Sequence, residues 1–258
     1  MPQLALVGNL SWDRLDNGPP RIGGGPYYAA IAWRELGARA TVITRCGPEE
    51  REVYTRQLSA LGMHFMMLPG TSTTGFAFHY EGDTRVMSVK HLGDSWTPDD
   101  AAVVPRGAWV HVAPLLRSDF PLETVAALSR GRRLSFDGQG LVRAGELGPL
   151  RLDANFDRAL LGHIDILKLA EEEAEVIGSV ERLGVPEVLV TYGHRGSCVY
   201  YEGKAVDVGA WPVATDPTGS GDAFSAAYLA ARSRGLSPTS AARRATALVG
   251  ALLTRRAT

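Results

Sequence analysis

Short apolar runs and amphipathic stretches alternate along most of this chain. Leu4 to Val7, Thr41 to Ile43, Trp109 to Val112, Leu134 to Asp137, Ile164 to Leu169 and Val188 to Thr191 show little polar alternation, the pattern of strands buried on both faces. Between most of them, Tyr27 to Leu36, Glu49 to Leu61, Pro121 to Ser129 and Glu171 to Ile177 carry apolar residues at helical spacing. Strands alternating with helices predict a mostly parallel sheet covered on both faces, an α/β sandwich of three layers formed by one domain over residues 1–258.

One stretch breaks the alternation. Gly75 to Tyr80 and Thr84 to Leu92, joined by Glu81-Gly82-Asp83, read as a β-hairpin inserted into the α/β pattern. With the segment around 13–22 it predicts a small β-flap, a lid made of about residues 13–22 and 75–92, on one edge of the domain. Two copies of the chain could pair through such a flap. Towards the C-terminus, Asp222 to Arg234 reads as an Ala-rich helix ending at Gly235. Ser237-Pro238 supplies the cap and first turn of a last helix running to about Leu253.

Composition narrows the class of function. In 258 residues, 27 basic side chains stand against 28 acidic ones, a net charge of −1 that gives no field to attract nucleic acid or an anionic membrane. One asymmetry stands out: after Asp222 no acidic residue follows, whereas Arg232, Arg234, Arg243, Arg244, Arg255 and Arg256 do, which reads as a solvated helix face or as a basic rim near an anionic ligand. Cys46 and Cys198 are far apart and form no CxxC, and the six histidines show no HxH or HExxH spacing. The N-terminal MPQLALVGNLSWDR reads as a buried strand broken at Asn9, not as a signal peptide, and no apolar run approaches the ~18 residues of a membrane span. The expectation is a soluble cytoplasmic protein whose partners are small molecules, without nucleic acid or membrane.

The segment that carries chemistry is Asp216-Pro217-Thr218-Gly219-Ser220-Gly221-Asp222-Ala223-Phe224. Glycines immediately before an Ala-rich helix let the chain turn sharply and leave first-turn amides aimed at an anion, with no β-carbon to block its approach. A carboxylate in that first turn is usually a cap. Beside a phosphate-binding turn it would repel the phosphate, so the purpose that makes sense for Asp222 is that of a general base taking the proton from an attacking hydroxyl. Neither G-x-G-x-x-G after the first strand nor G-x-x-x-x-G-K-[ST] occurs, which removes the Rossmann and P-loop readings.

DPTGSGDAF resembles the C-terminal signature of the ribokinase-like carbohydrate kinases, the PfkB family. Asp13 after the first strand, Gly23-Gly24 before the first helix, Leu36-Gly37 at its end, the stretch Lys168 to Glu173, and Val190-Thr191-Tyr192-Gly193-His194-Arg195-Gly196-Ser197 extend the match along the chain. Within the family the chain is most similar to the myo-inositol kinases, through Asp137-x-Gln139-x-x-x-Arg143 and Leu167-Lys168 ahead of Glu172-Glu173-Ala174. The resemblance implies the ribokinase-like fold, with Asp222 as catalytic base and the amides of Gly219, Ser220 and Gly221 as the anion hole. Asp216 and Thr218 would shape the turn, beside a metal or a monovalent cation in the case of Asp216 and beside the nucleotide in the case of Thr218. Asp13, Gly23, Gly24, Tyr28, Gln139 and Arg143 would bind the acceptor. Thr191, Gly193 and Gly196 would line the ATP channel, and Glu173 would organise Mg²⁺.

Two positions depart from the family pattern. Ala170 stands where the N-x-x-E motif has Asn, and Tyr28 stands where the sugar-contacting Asn falls in G-G-x-x-x-N. The resemblance therefore implies an ATP-dependent kinase for a hydroxyl of a small polyol or sugar, with myo-inositol as first choice. A nucleoside kinase of the same fold is the alternative, since Tyr27 and Tyr28 could stack on a base. From another class, Ala170 leaves room for a non-catalytic sensor of sugars or nucleotides.

Overall fold

The computed structural model describes residues 2–257 except 17, 82 and 83. The strands are β1 (Leu4–Asn9), β2 (Ser11–Leu15), β3 (Arg21–Gly23), β4 (Ala40–Arg45), β5 (His64–Leu68), β6 (Thr74–Glu81), β7 (Thr84–His91), β8 (Trp109–Val112), β9 (Arg133–Asp137), β10 (Gly148–Pro149), β11 (Ile166–Ala170), β12 (Glu187–Thr191), β13 (Ser197–Tyr201) and β14 (Lys204–Val208). The helices are α1 (Gly25–Glu35), α2 (Arg51–Ala60), α3 (Leu122–Ser129), α4 (Gln139–Val142), α5 (Glu171–Ile177), α6 (Ser220–Ser233) and α7 (Pro238–Ala257).

The larger sheet runs β14-β13-β12-β11-β9-β8-β1-β4-β5. Its pairs are parallel from β12 through β5, and the hairpin β13–β14 closes one edge antiparallel. The apolar runs of β1, β4, β8 and β11 are buried along nearly their whole length, because helices cover both faces. One face packs Ala29, Ala30 and Trp33 of α1 against Ala226, Ala227 and Ala230 of α6 and Ala241 and Ala242 of α7. Those alanines let the three helices approach closely, and the Trp33 indole N–H donates to Ala226 O at 2.8 Å across the joint. The opposite face buries Val125 and Leu128 of α3 and Ile177 of α5. This is the helix-covered, mostly parallel α/β sandwich expected from the alternation.

From β1 the chain first winds outward to β4 and β5, then returns to β8 on the other side. Strand order thus reverses beside β1, and in open α/β sheets a crevice forms beyond the C-terminal ends of the strands at such a point. The N-terminal turn of α6 is packed there: a methyl group at Gly25, just beyond β1 in space, would lie 2.6 Å from Ala113 Cβ after β8 and 2.9 Å from Asp222 Oδ1 on α6.

The second sheet, β10-β7-β6-β2-β3, joins the segment around 13–22 to the hairpin, as the sequence suggests, and adds the two-residue strand β10. The Gly82-Asp83 tip lies outside the described residues. The sheet packs Phe76, Phe78 and Val89 on Leu115 and Leu116 after β8, which seats it over the same crevice. The last helix continues beyond the expected end at Leu253, to Ala257. Among the described residues no helix is long and apolar enough to cross a membrane.

Candidate active site

Gly219 caps α6 in the left-handed conformation, with φ +78°. A methyl group there would lie 2.2 Å from Cγ and Cδ1 of Tyr28, so the glycine is required by a packed aromatic ring. Gly221 has a comparable neighbour: its methyl would come 3.1 Å from Lys168 Nζ. Gly219 thus gives room to a protein ring, while Gly221 also opens onto a cavity described below. The expected anion hole is also altered in detail, since the Ser220 N–H donates to Pro217 O at 2.9 Å. Asp216 Oδ1 fixes the start of the turn by accepting from the Thr218 N–H at 3.0 Å and the Thr218 hydroxyl at 2.6 Å.

Beneath the turn lies a buried charge cluster. Lys168 on β11 and Asp137 on β9 are register partners, and their charged ends are 3.4 Å apart, with Lys168 only 6% and Asp137 1% exposed. Glu173 on α5 is buried while its neighbour Glu172 is exposed; its Oε2 accepts from the Ala170 N–H at 2.8 Å and its Oε1 lies 3.9 Å from Arg143. Burial, then the charge of Asp137, raises the Asp222 carboxyl to about 7, with Lys168 and Arg143 opposing. Burial alone would lower the Lys168 ammonium, but Asp137, Glu173 and Asp222 together raise it. Glu173 is raised by burial, against the pull of Lys168 and Arg143. A carboxyl near 7 at neutral pH is poised to take a proton.

The turn separates two cavities. On one side Asp13, Arg21, Ile22, Tyr27, Tyr28, Phe78, Asp216, Thr218 and Arg256 are among the residues enclosing about 340 Å³. Gly23 packs directly against Asp13 of this wall: a methyl group there would lie 2.1 Å from Asp13 Oδ2. Gly24, with φ +94°, starts α1 where a methyl would meet Asn9 O at 2.8 Å. Burial, with the charges of Asp13 and Asp222, raises the Tyr28 hydroxyl to about 12. On the other side Thr191, Gly193, His194, Gly196, Pro217, Ser220 and Gly221 bound a cavity of about 630 Å³. Val213, Phe224, Ala247, Val249 and Leu253 make its apolar walls, and Trp211 at its rim is 88% exposed. Gly196 turns at φ +105° under Val208 O, which a methyl would approach to 2.0 Å.

Most of the residues singled out in the sequence meet at this crevice, with three displacements. Thr218 faces the smaller cavity with Asp13, not the larger one with Thr191. Gln139 and Arg143 line neither: the Gln139 amide donates to Pro114 O at 2.6 Å, and Arg143 faces Glu173. Glu173 and Asp216 are not gathered into one metal-holding group; no cluster of three or more His, Cys, Asp or Glu suited to a metal occurs among the described residues. The arginine-rich C-terminus divides. Arg232 pairs with the buried Glu187, Arg255 with Glu35, and Arg256 donates to Thr218 O at 2.8 Å while its guanidinium lies over the Tyr28 ring.

Sequence reasoning missed Gly25, Lys168 and the part that α7 plays in the larger cavity. Gly25 is visible as the third residue of Gly23-Gly24-Gly25. Lys168 reads in the sequence as an ordinary ion-pair partner.

Residues 20–258 match the family model described as pfkB family carbohydrate kinase. The chain belongs to that family. A pfkB family relative, a fructokinase of Klebsiella pneumoniae, is 30% identical over 256 residues, covering 87% of this chain and 82% of the relative. A nucleoside kinase of Methanothermobacter thermautotrophicus is 28% identical over 225 residues, covering 83% and 72%. Among solved structures, a pyrophosphate-dependent kinase in the ribokinase family, complexed with a pyrophosphate analog and myo-inositol, superposes with a TM-score of 0.87 at 25% identity over 97% of this chain and 95% of that one. The chain is thus a kinase of the pfkB family with the ribokinase fold, and similar to kinases acting on more than one kind of acceptor.

Proposed function

We propose that the protein transfers the terminal phosphoryl group of ATP to a hydroxyl of a small polyol, with myo-inositol as the preferred acceptor. The observation that carries this reading is the turn at 216–222, whose residues divide between two cavities: Asp216 and Thr218 line the smaller, Pro217, Ser220 and Gly221 the larger. Asp222, buried just behind the turn, lines neither cavity but carries a carboxyl raised to about 7 and acts electrostatically on Tyr28 of the smaller one. In this reading Asp222 takes the acceptor proton while the Gly219 and Gly221 amides and the dipole of α6 meet the transferring charge. The flap β2-β3-β6-β7 is the lid, with Phe78 bringing it to the acceptor, and it keeps water from the donor phosphate.

The larger cavity supports a nucleotide donor. Its walls are mostly apolar, with Val213, Phe224, Ala247, Val249 and Leu253 among the lining residues, which suits an adenine and ribose. In this reading Mg²⁺ keeps its waters and is held chiefly by the donor phosphates; the buried carboxylate Glu173, which faces Lys168 and Arg143, would order the water shell, and Asp216 shapes the turn. Bound with the donor phosphates, Mg²⁺ supplies neutralising charge. A monovalent cation beside Asp216 would show as dependence of turnover on K⁺.

On the acceptor side, Asp13 would accept hydrogen bonds from adjacent ring hydroxyls above the Gly23-Gly24 floor, with the Tyr28 hydroxyl beside them. The rival acceptor is a nucleoside, favoured by the edge-on pair of Tyr27 and Tyr28, 5.4 Å between ring centres. The test is an ADP-release assay over myo-inositol, deoxy-inositols, fructose, ribose and nucleosides, repeated for product formation with pyrophosphate as donor. Myo-inositol with ATP should give the highest kcat/KM. A nucleoside leading by more than about tenfold, 1.4 kcal/mol, would turn the reading to nucleosides, and pyrophosphate outperforming ATP would overturn the donor.

A further inference from the structure

The smaller cavity carries a cation that the fold fixes without satisfying. Arg256, in the last turn of α7, donates from one guanidinium nitrogen to Thr218 O at 2.8 Å, and the guanidinium lies over the Tyr28 ring, 6.0 Å from its centre. Both supports are themselves held: Thr218 by Asp216 Oδ1, and the Tyr28 ring by the backbone of Gly219 and the edge-on Tyr27. Arg232 and Arg255 of the same basic tail spend their charge on Glu187 and Glu35. Among the described residues no carboxylate pairs with Arg256, and of the five N–H donors of its guanidinium Thr218 O takes one. The others are open to a ligand, since Arg256 is exposed and belongs to the lining of the cavity.

A polyol needs partners of both kinds, because each hydroxyl gives one hydrogen and takes others on its oxygen. An ionised Asp13 can only accept, and the Thr218 hydroxyl on the same wall is already spent on Asp216. Arg256 supplies a donor that is held in place before the ligand arrives, so little conformational freedom is lost on binding. We propose that Arg256 is an acceptor-binding residue, donating from the N–H groups that Thr218 leaves free to the oxygen of a ring hydroxyl other than the one phosphorylated. The inference rests on the reading of the smaller cavity as the acceptor's. It gives α7 two parts to play: its middle turns line the nucleotide cavity at Thr246, Gly250 and Thr254, and its last turn stands on the wall of the acceptor.

The bland role for Arg256 is to pin the end of α7 on the turn, and deleting the donor and its target hydroxyl in combination separates the two. Wild type, Arg256→Met and Arg256→Lys are compared with the acceptor ranked first in the panel above and with its analogues each lacking one hydroxyl. Acceptor affinity is measured by calorimetry alongside turnover. Arg256→Met should weaken binding of the full acceptor and lower its kcat/KM by about tenfold or more, with the KM for ATP and the Tm little changed. For one deoxy analogue the variant should be no worse than wild type, because the hydroxyl that Arg256 meets is absent from both. Arg256→Lys, which keeps a donor, should recover part of the loss. An equal loss on the full acceptor and on every deoxy analogue, or a matching rise in the KM for ATP, would show a pin for α7 and overturn the proposal, as would unchanged acceptor affinity. Asp13→Ala controls for the reading itself: acceptor affinity untouched by that change would move the acceptor out of the smaller cavity altogether.

Discussion

Tyr28, which lines the smaller cavity, packs on Gly219 at the start of α6, and Gly219→Ala perturbs this contact directly. The backbone at 219 has φ +78°, where a side chain costs about 1–2 kcal/mol. The new methyl would lie 2.2 Å from two ring carbons of Tyr28, whereas carbons at rest sit roughly 3.5–4.0 Å apart. The ring must therefore shift by more than an ångström. Tyr27 stands edge-on to it, and the Arg256 guanidinium over it, 6.0 Å from its centre, is tied to Thr218 O. Overpacking of this kind costs about 1–3 kcal/mol, giving about 2–5 kcal/mol in all. Urea unfolding of wild type, Gly219→Ala, Tyr28→Ala and the double variant resolves the parts. In the Tyr28→Ala background, Gly219→Ala should cost only the backbone share, so the two substitutions should couple by about 1–3 kcal/mol. Additivity within about 0.5 kcal/mol would refute the claim that the ring is held on the turn.

Three further outcomes follow from the geometry. Glu173→Gln should raise the Mg²⁺ concentration for half-maximal rate by about tenfold or more, while the exposed Glu172→Gln leaves it unchanged; equal effects would detach Glu173 from the metal. Burial raises the Asp119 carboxyl from an ordinary 3.8 to about 7, against the N–H groups of Leu115 and Leu116, so the folded state binds this proton more tightly than the unfolded one. The stability this contributes is full below pH 4 and is lost as pH rises through 7. Asp119→Asn should therefore gain on wild type between pH 4 and pH 8, by up to about 4 kcal/mol, and a difference independent of pH in chemical denaturation would contradict this. Hydrogen exchange in β6 and β7 should slow when acceptor binds, and unchanged exchange would leave the smaller sheet without a role as lid.

Much of the fold is legible in the sequence because burial on both faces writes continuous apolar runs, as in β1, β8 and β12. The strands that escape notice are half-exposed. β5, His-Phe-Met-Met-Leu, lies at the sheet edge and carries no β-branched residue. The hairpin β13–β14 turns through Glu202-Gly203, both at positive φ, where Glu is an uncommon choice and weakens the turn signal. The site is legible where chemistry is contiguous, as in 216–222, and illegible where topology assembles it. Lys168, Asp137 and Asp222 are distant in sequence and meet only because β9 and β11 are neighbours and α6 starts above them. For Gln139 and Arg143 the resemblance implies acceptor binding; in the fold the Gln139 amide donates to Pro114 O and Arg143 faces Glu173.

The account's central claim, that Asp222 behind the turn shared by an acceptor and a nucleotide cavity is the base, is tested most directly by single-turnover phosphoryl transfer in Asp222→Asn. The substitution keeps the shape of the buried group and removes its charge. The rate of the chemical step should fall by about 10²- to 10⁴-fold while acceptor and ATP-analogue affinities, measured on the same preparation, stay within a few-fold of wild type. A single-turnover rate within a few-fold of wild type would contradict the account.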